Sequence, residues 1–388
     1  MPTIRHEPPV APRVRALAPD LARGAMLAVI ALAHSQVLAR PFLGPTPGPG
    51  SGSGSGSGSA IDTVAQTLLT LFVDSRGYPM FAALFGYGMV QILRSREPRL
   101  GRDGTRRVLR RRGWWLVVFG VAHVALLFPG DILTSYGLLA LLFAGALHRP
   151  DRRLLGGAAA LAAFGSLAYG SVLALPAPGD AGPAADPLTS LAFRLMSLPL
   201  TTPLNAVMAA APVLVGIWAG RRGLLDEPER HRALLKRVAA TGIAGAALGA
   251  IPHALVTTGA WHPDPGVLVA AGTLHTAAGY AGGLGYAALI GLVAARLARR
   301  DAQGPVTRAL AACGRRSMTC YLAQSVAWFV LFEPYLAGLA GAMGVAAAAV
   351  VGLGVWLLTV VAAGLMGHAG LPGPAEALLR RLVNGARP

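Results

Sequence analysis

RSREPRLGRDGTRRVLRRR, residues 94–112, sets nine arginines between two apolar stretches, 80–93 and 114–128. Basic side chains are costly to carry across a bilayer, so such a run marks the side from which both stretches enter. The pattern repeats along the chain. Arg5, Arg13, Arg15 and Arg23 precede the first apolar stretch, and Arg149, Arg152 and Arg153 follow the fourth. Further basic groups run from Arg221 to Arg237 and from Arg296 to Arg316, and the tail carries Arg380, Arg381 and Arg387. Of 34 Lys and Arg residues, only Arg40, Arg76 and Arg194 fall on the other side. The connections there carry Asp62, Asp74, Asp131, Asp180, Asp186, Asp264 and Glu333. The alternation predicts an all-α, polytopic membrane bundle of about ten helices in the inner (plasma) membrane, with both termini cytoplasmic.

Composition agrees. The chain is 54% hydrophobic and 13% charged, with mean hydropathy +0.54, whereas soluble domains carry about 25% charged residues. A pI near 11.3 would suit a nucleic-acid binder, but the basic residues flank apolar spans, so topology explains them and no nucleic acid is expected. The expected partners are the bilayer and anionic headgroups facing the 94–112 run. Cys313 and Cys320 give no basis for a structural disulfide or a metal site.

The expected spans are 21–38, 80–93, 114–128, 132–147, 154–175, 204–219, 238–258, 267–297, 318–340 and 345–366. Lipid offers no partner to open backbone, so helices are the default. Residues 50–59 alternate Gly and Ser, the composition of a flexible coil. Residues 60–72 are apolar but short, which suits an interfacial or re-entrant helix. The chain divides into a cytoplasmic arm (1–20), an N-terminal membrane region (21–148) with an outer linker (41–59), a connecting span and loop (149–203), and a C-terminal membrane domain with a tail (204–388).

Candidate chemistry lies in the few ionisable residues within or beside the spans, which tend to face a bundle or cavity. Arg23 and His34 are eleven residues apart, so they share one face of the first helix at a separation of about 16 Å. Arg23 is either an anchor paired with Asp20 or a substrate contact. His34 is either an interfacial polar residue or a general base able to take a proton from a hydroxyl or amine. His123 and Asp131 bracket the next outer turn. Asp131 is suited to capping the helix that follows, to orienting a histidine, or to both. Asp74 and Arg76 stand before residue 80 as a solvated turn or a contact for a polar substrate. His275 reads as a hydrogen-bonded core histidine, while His253, His262 and Asp264 gather near one end of their spans. No H-x-x-x-H spacing supports a metal. Arg315, Thr319 and Gln324 open the ninth span. They are suited to helix–helix hydrogen bonding, or to docking a phosphorylated donor where Arg315 and Arg316 meet helix amides.

Several short elements are shared with a known family. They are Arg23-Gly24, Leu84-Phe85-Gly86-Tyr87-Gly88, and His123 followed by Gly130-Asp131-Ile132-Leu133. The C-terminal elements are Gly314-Arg315 with Thr319, Tyr321, Leu322, Gln324 and Ser325, and Gly373-Pro374-Ala375-Glu376 with Arg380. In these the chain resembles the YeiB-like family of bacterial inner-membrane proteins (DUF418). It departs at Cys320 and Ala377, where that family has asparagine and tryptophan. The family is distantly similar to membrane acyltransferases of the acyltransferase-3 and heparan-glucosaminide acetyltransferase kinds. In acyltransferase-3 proteins an arginine, ten residues and a histidine mark the first span, as Arg23 and His34 do here. The resemblance implies acyl transfer from a cytosolic donor, such as acetyl-CoA as co-substrate, to an acceptor across the membrane. His34, Asp131 and His123 would be catalytic, and Arg23, Asp74, Arg76, Arg315 and Gln324 would contact substrate, with no resident cofactor. The competing readings are a small-solute transporter, without an obvious inverted repeat, and a non-catalytic scaffold.

Overall fold

The computed structural model describes residues 16–39, 59–175, 186–299, 304–340 and 342–385. The 50–58 part of the Gly-Ser tract, most of the 176–187 loop and the 1–15 arm lie outside them. Among the described residues the chain is helical, without strands. The order is α1 (Leu17–Ala39), α2 (Ala60–Phe72), α3 (Gly77–Leu126), α4 (Leu133–Phe143), α5 (Asp151–Leu173) and α6 (Pro187–Arg222). It continues with α7 (Arg232–Thr257), α8 (Pro265–Arg299), α9 (Pro305–Arg315), α10 (Ser317–Phe332), α11 (Val345–His368) and α12 (Pro374–Asn384). The six helices α1, α5, α6, α7, α8 and α11 are each long and apolar enough to cross a membrane. The protein is an all-α membrane helical bundle.

The arginine run decides the shape of α3. It is helical rather than a loop, and only Gly101 (φ 65°, ψ −178°) departs from helical geometry. Glycine alone adopts such a conformation without steric cost. Phe85 stacks on Tyr136 at 5.0 Å, and Val117, equally far beyond Gly101, meets Gly137. The two arms of α3 therefore return side by side as a hairpin whose tip carries the arginines. Arginine is a good helix former, so the run extends the helices instead of breaking them. Arg94 ties the tip to Asp226 at 3.0 Å and to the Arg221 carbonyl at 3.0 Å.

Two other boundaries moved. α6 starts at Pro187, well before the expected residue 204, despite Pro199, Pro203 and Pro212 inside it. Asp186 caps it, accepting from Leu188 N at 2.9 Å and Thr189 N at 3.0 Å. Prolines are tolerated in membrane helices because neighbours re-satisfy the freed backbone. α4 is only 11 residues long, about 16 Å at helical rise, roughly half a hydrocarbon core.

α1 is the central helix. Ala22, Met26, Leu27 and Ala31 are fully buried, packed among α3, α8, α9, α10 and α11. Its approach to α9 depends on two glycines: a Cβ on Gly24 would lie 2.1 Å from Leu310 O, and one on Gly314 would lie 1.7 Å from Asp20 O. Between membrane helices, where lipid removes the hydrophobic drive, close backbone approach is a main source of packing energy. Two shared elements thus form one helix crossing. A third, around Glu376, is a cap. The Glu376 carboxylate accepts from Met318 N at 2.7 Å and Thr319 N at 3.2 Å, and Thr319 Oγ1 donates to it at 2.5 Å. It thereby fastens α12 to the start of α10.

Candidate functional site

The fold brings His34, His123 and Asp131 together around Tyr321. His34 projects from α1 to stack near Phe128, with ring centroids 4.7 Å apart, and its ring lies 6.2 Å from that of Tyr321 on α10. His123, on the second arm of α3, lies 5.2 Å from the same tyrosine. His123 Nδ1 is 3.0 Å from Asp131 Oδ1, and both side chains are almost wholly buried. The two atoms are close but not aligned as a straight hydrogen bond, so distance and shared burial define the pair. His34 is partly exposed, yet its Nδ1 is buried without a hydrogen-bond partner among the described residues.

Asp131 fills both roles its position suggested. Its Oδ2 accepts from Thr134 N at 2.7 Å and from Thr134 Oγ1 at 2.8 Å, capping the start of α4. Its Oδ1 faces His123. Space for the carboxylate comes from Gly120, where a Cβ would lie 2.5 Å from Oδ2. Asn205 of α6 donates to the Asp131 carbonyl at 3.3 Å. The cluster thus joins two aromatic rings, two imidazoles and a carboxylate that caps a helix start.

At the other end of α1, Arg23 donates to Leu84 O at 3.3 Å and pairs with Asp20 at 3.5 Å. Arg112, at the base of the second α3 arm, is within Coulombic range of Arg23 and Glu376. Burial, and secondly the Arg23 charge, push the Arg112 guanidinium down to about 10, while Glu376 opposes the shift. Two guanidinium groups in a partly dehydrated place form a natural anion contact.

The remaining residues named from sequence lie elsewhere. Arg315 is exposed at the end of α9. Its neighbour Arg316 is the one turned inward, donating to Leu371 O at 3.1 Å and Ala312 O at 3.2 Å. Gln324 donates to Thr359 Oγ1 at 3.3 Å, joining α10 to α11. Arg76 is not on a solvated turn: it is fully buried and donates to Ala246 O of α7 at 2.6 Å. Asp74 meets it through its backbone carbonyl. Sequence reasoning gave Tyr321 no part in the cluster. Its shared element was the available signal, and only the fold sets its ring between the two histidines.

Residues 219–386 match the family model DUF418, described as a protein of unknown function. The match covers the C-terminal part of the chain, from the end of α6 to α12. An uncharacterized protein of Bacillus subtilis (strain 168), YxaH, is 26% identical over 347 residues, covering 82% of each chain. An uncharacterized 39.9 kDa protein in the amylase 3' region of Bacillus acidopullulyticus is 40% identical over 87 residues, 22% of this chain and 24% of that one. The region that matches DUF418 contains Tyr321, whereas His34, His123 and Asp131 precede it. The cluster therefore lies where the two parts of the chain meet.

Proposed function

We propose that this protein transfers an acyl group from a phosphate-bearing donor, such as acetyl-CoA, to a hydroxyl or amine acceptor on the opposite side of the membrane. One observation carries the reading: His34 stands beside the buried His123–Asp131 pair on the same helix that bears Arg23 at its other end. The arginine spacing supports an orientation with both termini and the α3 tip in the cytoplasm of a cell bounded by the plasma membrane. In this orientation Arg23 and Arg112 face the donor, the α3-tip arginines meet anionic headgroups, and His34 faces the acceptor.

In the reaction, the acceptor oxygen or nitrogen bonds to the thioester carbonyl carbon and gives its proton to His34. The C–S bond breaks, and the departing thiolate takes up a proton. His34 returns to its neutral form by passing its proton on, which leaves the base ready for the next acceptor. The resemblance of the Arg23–His34 spacing to acyltransferase-3 proteins supports the same reading.

The test is transfer of label from acetyl-CoA to a cell-envelope fraction, in cells with and without the protein. His34→Ala should lower transfer by about 10²–10⁴-fold, the usual worth of a general base, while membrane insertion is unchanged. Full activity in that variant would remove His34 from the chemistry. Absence of transfer, combined with protein-dependent solute uptake, would replace acyl transfer with transport.

A further inference from the structure

We propose that α2, α3, α7 and α8 enclose a second site, distinct from the His34 cluster, that binds a small oxyanion (a carboxylate or a phosphate) on Arg76, His253 and His275. No step of the acyl-transfer reading uses these residues.

The site starts from a buried charge. Arg76 has no exposed surface, and His275 and His253 retain only 1% and 9% of theirs. Arg76 enters the seam between α7 and α8 beside Gly282, where a Cβ would lie 3.0 Å from its Cγ. Its Nη1 donates to Thr70 O at 3.0 Å and to Asp74 O, and its Nη2 donates to Ala246 O at 2.6 Å. Carbonyl dipoles hold the guanidinium in place, and the Asp74 carboxylate lies within Coulombic range of it. The Ala246 carbonyl points along α7 toward His253, two turns on, and His275 stands two turns before Gly282 on the antiparallel α8. The two imidazole rings are 4.6 Å apart, and Arg76 is within Coulombic range of both.

Three atoms here lack a hydrogen-bond partner among the described residues: Arg76 Nε, His253 Nδ1 and His275 Nδ1. A buried polar atom left unpaired is destabilising, so three in one buried seam call for a shared occupant. Arg76 offers only donors, and a neutral imidazole offers one N–H whose position its partner selects. The matching group accepts several hydrogen bonds and carries negative charge. A carboxylate or phosphate oxygen set does both, and an ionisable residue at this depth in a bundle ordinarily serves a ligand or a permeation path.

The test uses the full-length protein purified into nanodiscs. Binding of ¹⁴C-acetate and of ³²P-labelled inorganic phosphate is measured at pH 7 against unlabelled competitor. Saturable binding of either anion is expected, and which one binds identifies the ligand as carboxylate or phosphate. His253→Leu and His275→Leu should each weaken it about tenfold or more, the worth of one such hydrogen bond. His34→Ala should leave it unchanged. Both leucine variants keep Arg76, whose loss endangers folding, and the thermal midpoint of each confirms a folded sample. Failure of both anions to bind the folded protein would overturn the site, as would binding that survives the double leucine variant. A double variant that is more stable than the parent and binds no less would show that the histidines hold only water.

Discussion

Gly314→Ala tests the crossing that positions α1, and with it Arg23 and His34. The new methyl would stand 1.7 Å from the Asp20 carbonyl oxygen, whereas carbon and oxygen in contact need more than 3 Å. Backbone cannot rotate away as a side chain can, so α1 and α9 must part by roughly an ångström or more. Overpacking costs about 1–3 kcal/mol, and a backbone obstacle places this site at the upper end. Alanine's better helix propensity returns about 1 kcal/mol, leaving a net loss of about 2 kcal/mol. Gly156→Ala is the control, because nothing lies within 4 Å of its would-be Cβ, and it should be neutral or stabilising by up to about 1 kcal/mol. The assay can use the protein's own thiols: Cys313 and Cys320 are free and buried, so a thiol-reactive fluorogenic dye reports unfolding. A lower thermal midpoint for Gly314→Ala than for Gly156→Ala is expected, together with loss of whatever activity His34 supports. Equal midpoints would refute the close α1–α9 crossing.

Arg194 and Glu333 form a 2.6 Å ion pair, 6% and 19% exposed, so Glu333→Gln or Arg194→Met alone should cost about 3–5 kcal/mol by stranding the partner. The pair of changes together should recover much of that loss, as read from a double-mutant cycle on thermal midpoints. Asp62 accepts from Ala346 N at 2.9 Å, and this bond, followed by that from Ser59, holds its carboxyl below 3.8. Because the folded value is the lower one, the stabilisation is present above that range and is lost as pH falls through the depressed value. Asp62→Asn should therefore lower the midpoint at pH 7 by the worth of a cap, about 1 kcal/mol, and remove the corresponding part of the acid-side loss of stability. Glu376→Ala should free the start of α10 and loosen α12, seen as faster amide exchange in residues 374–384 with little change in α5.

Composition and charge order determined much of this protein before folding was considered. Apolar length makes helices, because lipid leaves open backbone no alternative. Helical spacing alone set Arg23 and His34 on one face. The Asp131 cap was legible because capping acts within four residues. The rest depended on contacts between distant segments. A hydropathy pattern does not separate the face a helix turns to lipid from the face it turns to protein, since both are apolar. Local sequence therefore could not say that Arg76 is buried against α7 while Arg315 is exposed and Arg316 turned in. Nor could it give the Tyr321 ring between two histidines, the Glu376 cap on a different helix, or the meeting of His253 with His275. Each of these is set by which helices cross and at what height, and glycine contacts such as Gly24 and Gly314 fix that only once the chain has packed.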